Sequence, residues 1–161
     1  MRFRILEEWV ESAKLLLVGL LERMGVHAEV EGFLEEGDLC LEIKGDQEGM
    51  LIGKNGRTLE ALQILITRMI NKRVKESVRV VLDINHYRER RADSLIKMAN
   101  RLGEKAKMTG KTITVGPYNA HDRRIIHIAL QGDSSLQTQS IGEGDLKEIS
   151  IIPGREETRI S

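Results

Sequence analysis

The run Leu51-Ile52-Gly53-Lys54-Asn55-Gly56-Arg57 joins two stretches of helical periodicity. Before it, Asp46 to Ile52 predicts a short helix. After it, Leu59, Leu62, Ile66 and Met69 share one face of a helix that runs to about Arg73. The phosphate loop of nucleotide hydrolases is excluded on two counts. Gly49 and Gly53-Lys54 leave three residues between the glycines rather than four, and Asn55 stands where a Ser or Thr must hold magnesium. What remains is a G-x-x-G turn. Glycines without Cβ let a backbone approach a sugar–phosphate chain closely. The free N–H groups at the start of the following helix attract phosphate oxygens. Lys54 and Arg57 add charge beside the turn, and Ile52 with Leu51 is placed to floor a groove for unstacked bases. A bare G-x-x-G is equally the mark of an ordinary helix–helix turn, so its context carries the weight.

Working outward, Arg4 to Met24 has apolar residues at helical spacing (Ile5, Trp9, Ala13, Leu16, Leu20, Met24), with Gly25 as a stop. His27 to Gly32 and Leu39 to Ile43 predict two strands around the turn residues Glu36-Gly37-Asp38. Val78 to Ile84 predicts a third strand, in which Val78, Val80 and Leu82 alternate with Arg79 and Asp83. The order is helix, strand, strand, helix, G-x-x-G, helix, strand.

Charge is unevenly spread. The 161 residues carry 25 basic and 25 acidic side chains, so no simple, highly basic nucleic-acid binder is present. Yet residues 1–45 hold 5 basic against 10 acidic residues, residues 46–112 hold 15 against 8, and residues 113–161 hold 5 against 7. A basic belt of this kind marks either a polyanion-binding surface or a pair of solvated helix faces. Aromatic residues are only 3% of the chain, which argues against an aromatic-lined sugar or drug pocket. A single cysteine, Cys40, excludes an internal disulfide and a multi-thiolate zinc site, and points to a reducing cytoplasm. The apolar run Leu15 to Leu21 is too short for a membrane span and follows Glu7, Glu8 and Glu11, where a signal peptide would be basic.

Beyond a turn at Asn85-His86, Tyr87 to Met108 predicts a helix with Ala92, Leu95, Ala99, Leu102 and Ala106 inward. Thr112 to Val115 predicts a strand. Asn119 caps a helix closed by Gly132, with Asp122 three residues after the cap. Leu136 to Ile141 and Glu148 to Ile152 predict a hairpin around Gly142-Glu143-Gly144-Asp145. In the capped helix, Arg123-Arg124-Ile125-Ile126-His127 places Arg123 and His127 four residues apart on one face. An Arg guanidinium suits a phosphate, and a His beside it donates a hydrogen bond or stacks on a base. Ile125, Ala129 and Leu130 are expected to turn into the core. Of the two tyrosines, Tyr118 adjoins this helix and is preferred over Tyr87 for stacking on a base. Lys97, Arg101 and Lys105 recur every four residues and read either as a phosphate-tracking stripe or as a solvated face.

With these residues in place, residues 1–85 resemble a type II K homology (KH) domain, of order α-β-β-α-α-β. Residues 86–153 resemble an R-three-H domain, of order α-β-α-β-β, on Tyr87-Arg88-Glu89-Arg90-Arg91, Pro117, Asn119, Arg123 to His127 and Ser140 to Gly144. Residues 154–161 are expected to be a flexible tail. The succession of the two is similar to the bacterial Jag family of sporulation-protein-associated KH proteins, whose members often carry a further small N-terminal domain that is not expected within these residues. The resemblance implies an α+β protein that clamps about four nucleotides of single-stranded RNA, or of single-stranded DNA, at the G-x-x-G turn. It further implies an RNA chaperone or post-transcriptional regulator linked to cell envelope growth, with another small KH protein as a potential partner. Ile52, Gly53, Lys54, Asn55, Gly56, Arg57, Tyr118, Arg123, Arg124 and His127 are the expected nucleic-acid-binding residues. Lys147-Glu148 stands where the family pattern is more basic.

Two other classes compete. A small metal-independent ribonuclease would use His127 as acid–base and Arg123 for charge stabilisation, but no second His stands at helical spacing. A protein-interaction adaptor would use the acidic first helix and a sheet edge. The four histidines show no ligand spacing, so neither metal nor cofactor is expected, and no catalytic residue is assigned.

Overall fold

The computed structural model describes residues 2–45, 47–74 and 76–154. By its internal contacts the chain divides into two compact units, Met1–Arg88 and Glu89–Ser161. The expected tail lies outside the described residues, except for Gly154.

The first unit comprises α1 (Arg2–Arg23), β1 (Glu29–Glu35), β2 (Asp38–Lys44), α2 (Glu48–Ile52), a single 3₁₀ turn (Lys54–Gly56), α3 (Arg57–Arg73) and β3 (Val80–Ile84). The sheet order is β1-β2-β3, with β1 antiparallel and β3 parallel to β2. Parallel pairing of β2 with β3 requires a crossover, and α2 and α3 supply it. Alternation sends Leu39, Leu41, Ile43, Val80, Leu82 and Ile84 to the helix-covered side. The opposite face carries Phe33, Cys40 and Val81 as one cross-strand row and Glu31, Glu42 and Asp83 as the next.

The buried stripes differ in detail from those expected. On α1 the core residues are Val10, Ala13, Leu17 and Leu21, whereas Ile5 is exposed and Trp9, Leu16 and Leu20 flank the contact. Close approach explains the choice: a Cβ on Gly32 of β1 would lie 2.6 Å from Val10 Cγ1, so the missing side chain lets α1 settle onto the sheet along the Val10 line. On α3 the fourth buried residue is Ile70, and Met69 is 38% exposed.

The second unit is made of α4 (Tyr87–Thr109, whose first two residues belong to the first unit), β4 (Ile113–Tyr118), α5 (Ala120–Leu130), β5 (Leu136–Ile141) and β6 (Lys147–Pro153). The antiparallel sheet runs β4-β6-β5. Leu95, Ala99, Ala106, Ile126, Leu130, Leu136, Ile149 and Ile151 form its core. Gly103 replaces Leu102 on the buried stripe of α4, because a Cβ there would come within 2.8 Å of Leu136 and 3.1 Å of Leu130. On α5 the residue fully inside is Ile126 rather than Ile125, which is only partly covered. Lys107 Nζ ties α4 to the α5–β5 turn through Asp133 at 2.7 Å, and with the Ser135 hydroxyl and amide it holds the pKa of the Asp133 carboxyl down at about 2.

Candidate nucleic-acid interface

The turn between α2 and α3 has a geometry that only its glycines allow. Gly53 adopts φ 70° and ψ −173°, a region closed to residues with a side chain. A Cβ there would meet Thr58 Oγ1 at 2.2 Å and the Thr58 amide nitrogen at 3.1 Å, so the first turn of α3 is folded back against bare backbone. Asn55 is left-handed, at φ 55° and ψ 28°, a conformation asparagine tolerates. Gly56 is left-handed as well and stands at the N-cap of α3, where it offers no side chain to cap the helix. Lys54 and Arg57 are exposed on either side of this backbone. The arrangement offers amide dipoles and two cations to an anion.

Neighbouring elements hold the turn in place. Leu51 and Ile52 are core residues, Ile52 with 8% of its surface exposed, so they anchor the loop from below. Asn85 Nδ2 donates to the Gly45 carbonyl at 3.0 Å and to Glu48 Oε2 at 3.2 Å, fixing the start of α2 to the end of β3. Tyr87 packs over Gly56: a Cβ on that glycine would lie 3.0 Å from Tyr87 Cε1. Arg88 continues the clamp, donating to the Leu82 carbonyl and, at 2.8 Å, to Gln63 Oε1. The aromatic residue packed on the turn is therefore Tyr87. Its sequence signal was position alone, two residues past the Asn85 turn, and nothing local ties that position to Gly56.

Gly53→Ala is expected to destabilise the first unit by about 1–3 kcal/mol, because it combines a glycine-only conformation with a backbone clash. A urea denaturation midpoint equal to that of the wild type would contradict this account of the turn.

In the second unit the Asn119 side chain accepts the Asp122 amide at 2.8 Å and caps α5 as expected. Arg123 and His127 share a face. Arg123 donates to the Tyr118 carbonyl at 3.2 Å, which steadies a half-buried guanidinium with four further donors. His127 Nδ1 shares a hydrogen bond with Thr138 Oγ1 of β5, leaving Nε2 as the ring nitrogen for a ligand. Arg124 is exposed beside them. Tyr118 points elsewhere: its hydroxyl donates to Met98 Sδ at 3.3 Å, and its ring lies 5.9 Å from the Arg91 guanidinium carbon. Asp122 serves as more than a first-turn acid. It is buried and accepts Arg91 at 2.8 Å in an ion pair that sequence spacing did not suggest. Among the described residues no cluster of His, Cys, Asp and Glu has the makings of a metal site, and no helix is long and apolar enough to cross a membrane.

Comparison with known proteins agrees with this division. Residues 12–82 match the KhpA/KhpB KH domain and residues 93–153 match the R-three-H domain. The chain is 40% identical to the RNA-binding protein KhpB of Clostridium symbiosum, over 84% of its own length and 61% of that protein. It is 33% identical to the KhpB of Lactiplantibacillus plantarum, over 84% of its length and 42% of the relative. For the KhpB of Bacillus subtilis the identity is 30%, over 88% of this chain and 69% of that one. The chain thus spans about three fifths of the first relative and about two fifths of the second. The glycine turn on a KH-type α-β-β-α-α-β unit, the Arg123–His127 face on an α-β-α-β-β unit and the alignment of both with these relatives lead to one assignment: this chain belongs to the KhpB, or Jag, family.

Proposed function

We propose that the chain binds single-stranded RNA without cleaving it, as an RNA chaperone or post-transcriptional regulator. The observation that carries this reading is the turn at Gly53 to Gly56. Backbone without side chains at Gly53 and Gly56 lies there beside the start of α3 and the exposed cations Lys54 and Arg57, a combination suited to a sugar–phosphate chain. Arg123, Arg124 and His127 supply a second phosphate contact in the other unit. The name of the relatives, RNA-binding protein KhpB, supports the same class. A ribonuclease is disfavoured because no second His stands at helical spacing from His127 to share the proton transfers, and among the described residues no cluster of His, Cys, Asp and Glu could hold a catalytic metal. Incubation with labelled RNA is expected to give a shifted band and no shorter products.

Arg123→Ala is expected to weaken binding about tenfold, and His127→Ala less, since a guanidinium contributes a permanent charge and a bidentate fork. The Arg123 loss should be larger on strands long enough to engage both units than on a four-nucleotide ligand, because linked sites raise effective concentration. It should shrink as salt rises. Fluorescence anisotropy with short and long strands at two salt concentrations measures this. Equal losses on both lengths would remove Arg123 from the interface.

A small KH protein is proposed as partner on the match to a domain family that includes KhpA as well as KhpB. Co-elution of the two purified proteins from a sizing column tests it, and separate elution at micromolar concentration counts against it.

A further inference from the structure

A third group of cations lies in the second unit, used by neither the glycine turn nor the Arg123–His127 face. Arg91, Ser94, Lys97, Met98, Arg101 and Tyr118 line an open groove of about 470 Å³ between α4 and the end of β4. No carboxylate contributes to its lining. Lys97 and Arg101 are exposed and, among the described residues, make no hydrogen bond or ion pair. They stand one helical turn apart, a rise of about 6 Å, on the scale of consecutive phosphates in an extended strand. Tyr118 completes the lining from the end of β4. Its hydroxyl is held by Met98, and the Arg91 guanidinium that approaches its ring is itself anchored by the buried Asp122. The lining therefore joins a fixed aromatic and thioether surface to two unengaged cations.

Phosphate-spaced cations beside an aromatic surface are what single-strand platforms combine. An acidic peptide would use the cations and gain little from the ring. The groove also adjoins the second site through one residue, since Tyr118 offers its carbonyl to Arg123 and its ring to α4. We propose that this groove is a separate single-stranded RNA subsite, in which Lys97 and Arg101 take neighbouring phosphates and the Tyr118–Met98 wall supports the base between them. The proposal rests on the RNA-binding reading above and extends it to a surface that the Arg-x-x-x-His motif does not include.

The test uses the full chain with both cations reversed, Lys97→Glu and Arg101→Glu. Binding to oligouridylates of four and about twenty nucleotides is followed at several salt concentrations. The four-nucleotide strand is expected to bind as to the wild type. The long strand is expected to bind about tenfold more weakly or worse, with a logarithmic salt slope reduced by about 1.4, the share of two phosphates on a single strand. In parallel, long strands carrying 4-thiouridine are expected to crosslink to the peptide that contains Met98 or to Tyr118. If the wild type binds neither length, the RNA reading fails and the subsite with it. If the wild type binds the long strand and the variant matches it in affinity and slope, the subsite alone is overturned. A variant that keeps its RNA affinity but loses polyglutamate binding assigns the groove to an acidic polypeptide and also overturns the proposal.

Discussion

Replacing Lys54 and Asn55 together by Asp is expected to lower the affinity for single-stranded RNA about a hundredfold. Two phosphate contacts at about 1.5 kcal/mol each account for that loss before any repulsion between carboxylates and phosphates is added. The fold should survive. Lys54 is exposed, Asn55 holds a left-handed conformation that Asp also tolerates, and two acids just ahead of α3 complement the positive end of its dipole. Stability and binding are thus expected to move apart: an unchanged or slightly raised melting temperature with most RNA affinity gone. A double variant that binds like the wild type at moderate salt would falsify the assignment of this turn.

The second large effect concerns stability. Asp122→Ala strips the buried carboxylate from Arg91, whose side chain is three quarters covered. Removing one member of a buried pair costs about 3 kcal/mol or more, since the remaining charge loses its buried counter-charge. For a unit of this size that lowers the melting temperature by about 10 °C or more. Asp122 also sits one residue before Arg123 in α5, so the Arg123–His127 face should loosen along with it. Scanning calorimetry of the single variant and of Arg91→Met with Asp122→Leu separates the causes. If the lost counter-charge is what destabilises, the double variant recovers most of the loss. If the double variant melts as low as the single one, packing rather than charge explains the effect.

Element order was legible in the sequence, because turns and strand alternation are local signals. Glu36-Gly37 and Asn85-His86 do turn the chain at positive φ, as their composition suggested. The strand Leu136–Ile141 falls where the hairpin turn at Gly142 to Asp145 placed it. The glycine turn was legible for the same reason, since its conformation depends on residues within six positions. The buried faces of the helices were harder to place. On α1, apolar side chains fill two adjacent stripes, and what chooses between them is the missing side chain of Gly32 on another element. On α4 a glycine lies on the buried stripe, which no hydrophobic pattern marks. The partners of the site residues were not legible either. That Tyr87 packs on Gly56, and whether Asp122 acts as a helix-start acid or as half of a buried ion pair, depends on contacts between elements.

RNA is expected to lie on the backbone of the glycine turn. The most direct test is an amide NMR titration of the full chain with a four-nucleotide single-stranded RNA. The largest shift changes are expected at Gly53, Lys54, Asn55, Gly56 and Arg57, with smaller ones at Tyr87, which packs on Gly56. Changes confined to the outer sheet face around Phe33, Cys40 and Glu42, with the turn unmoved, would contradict it.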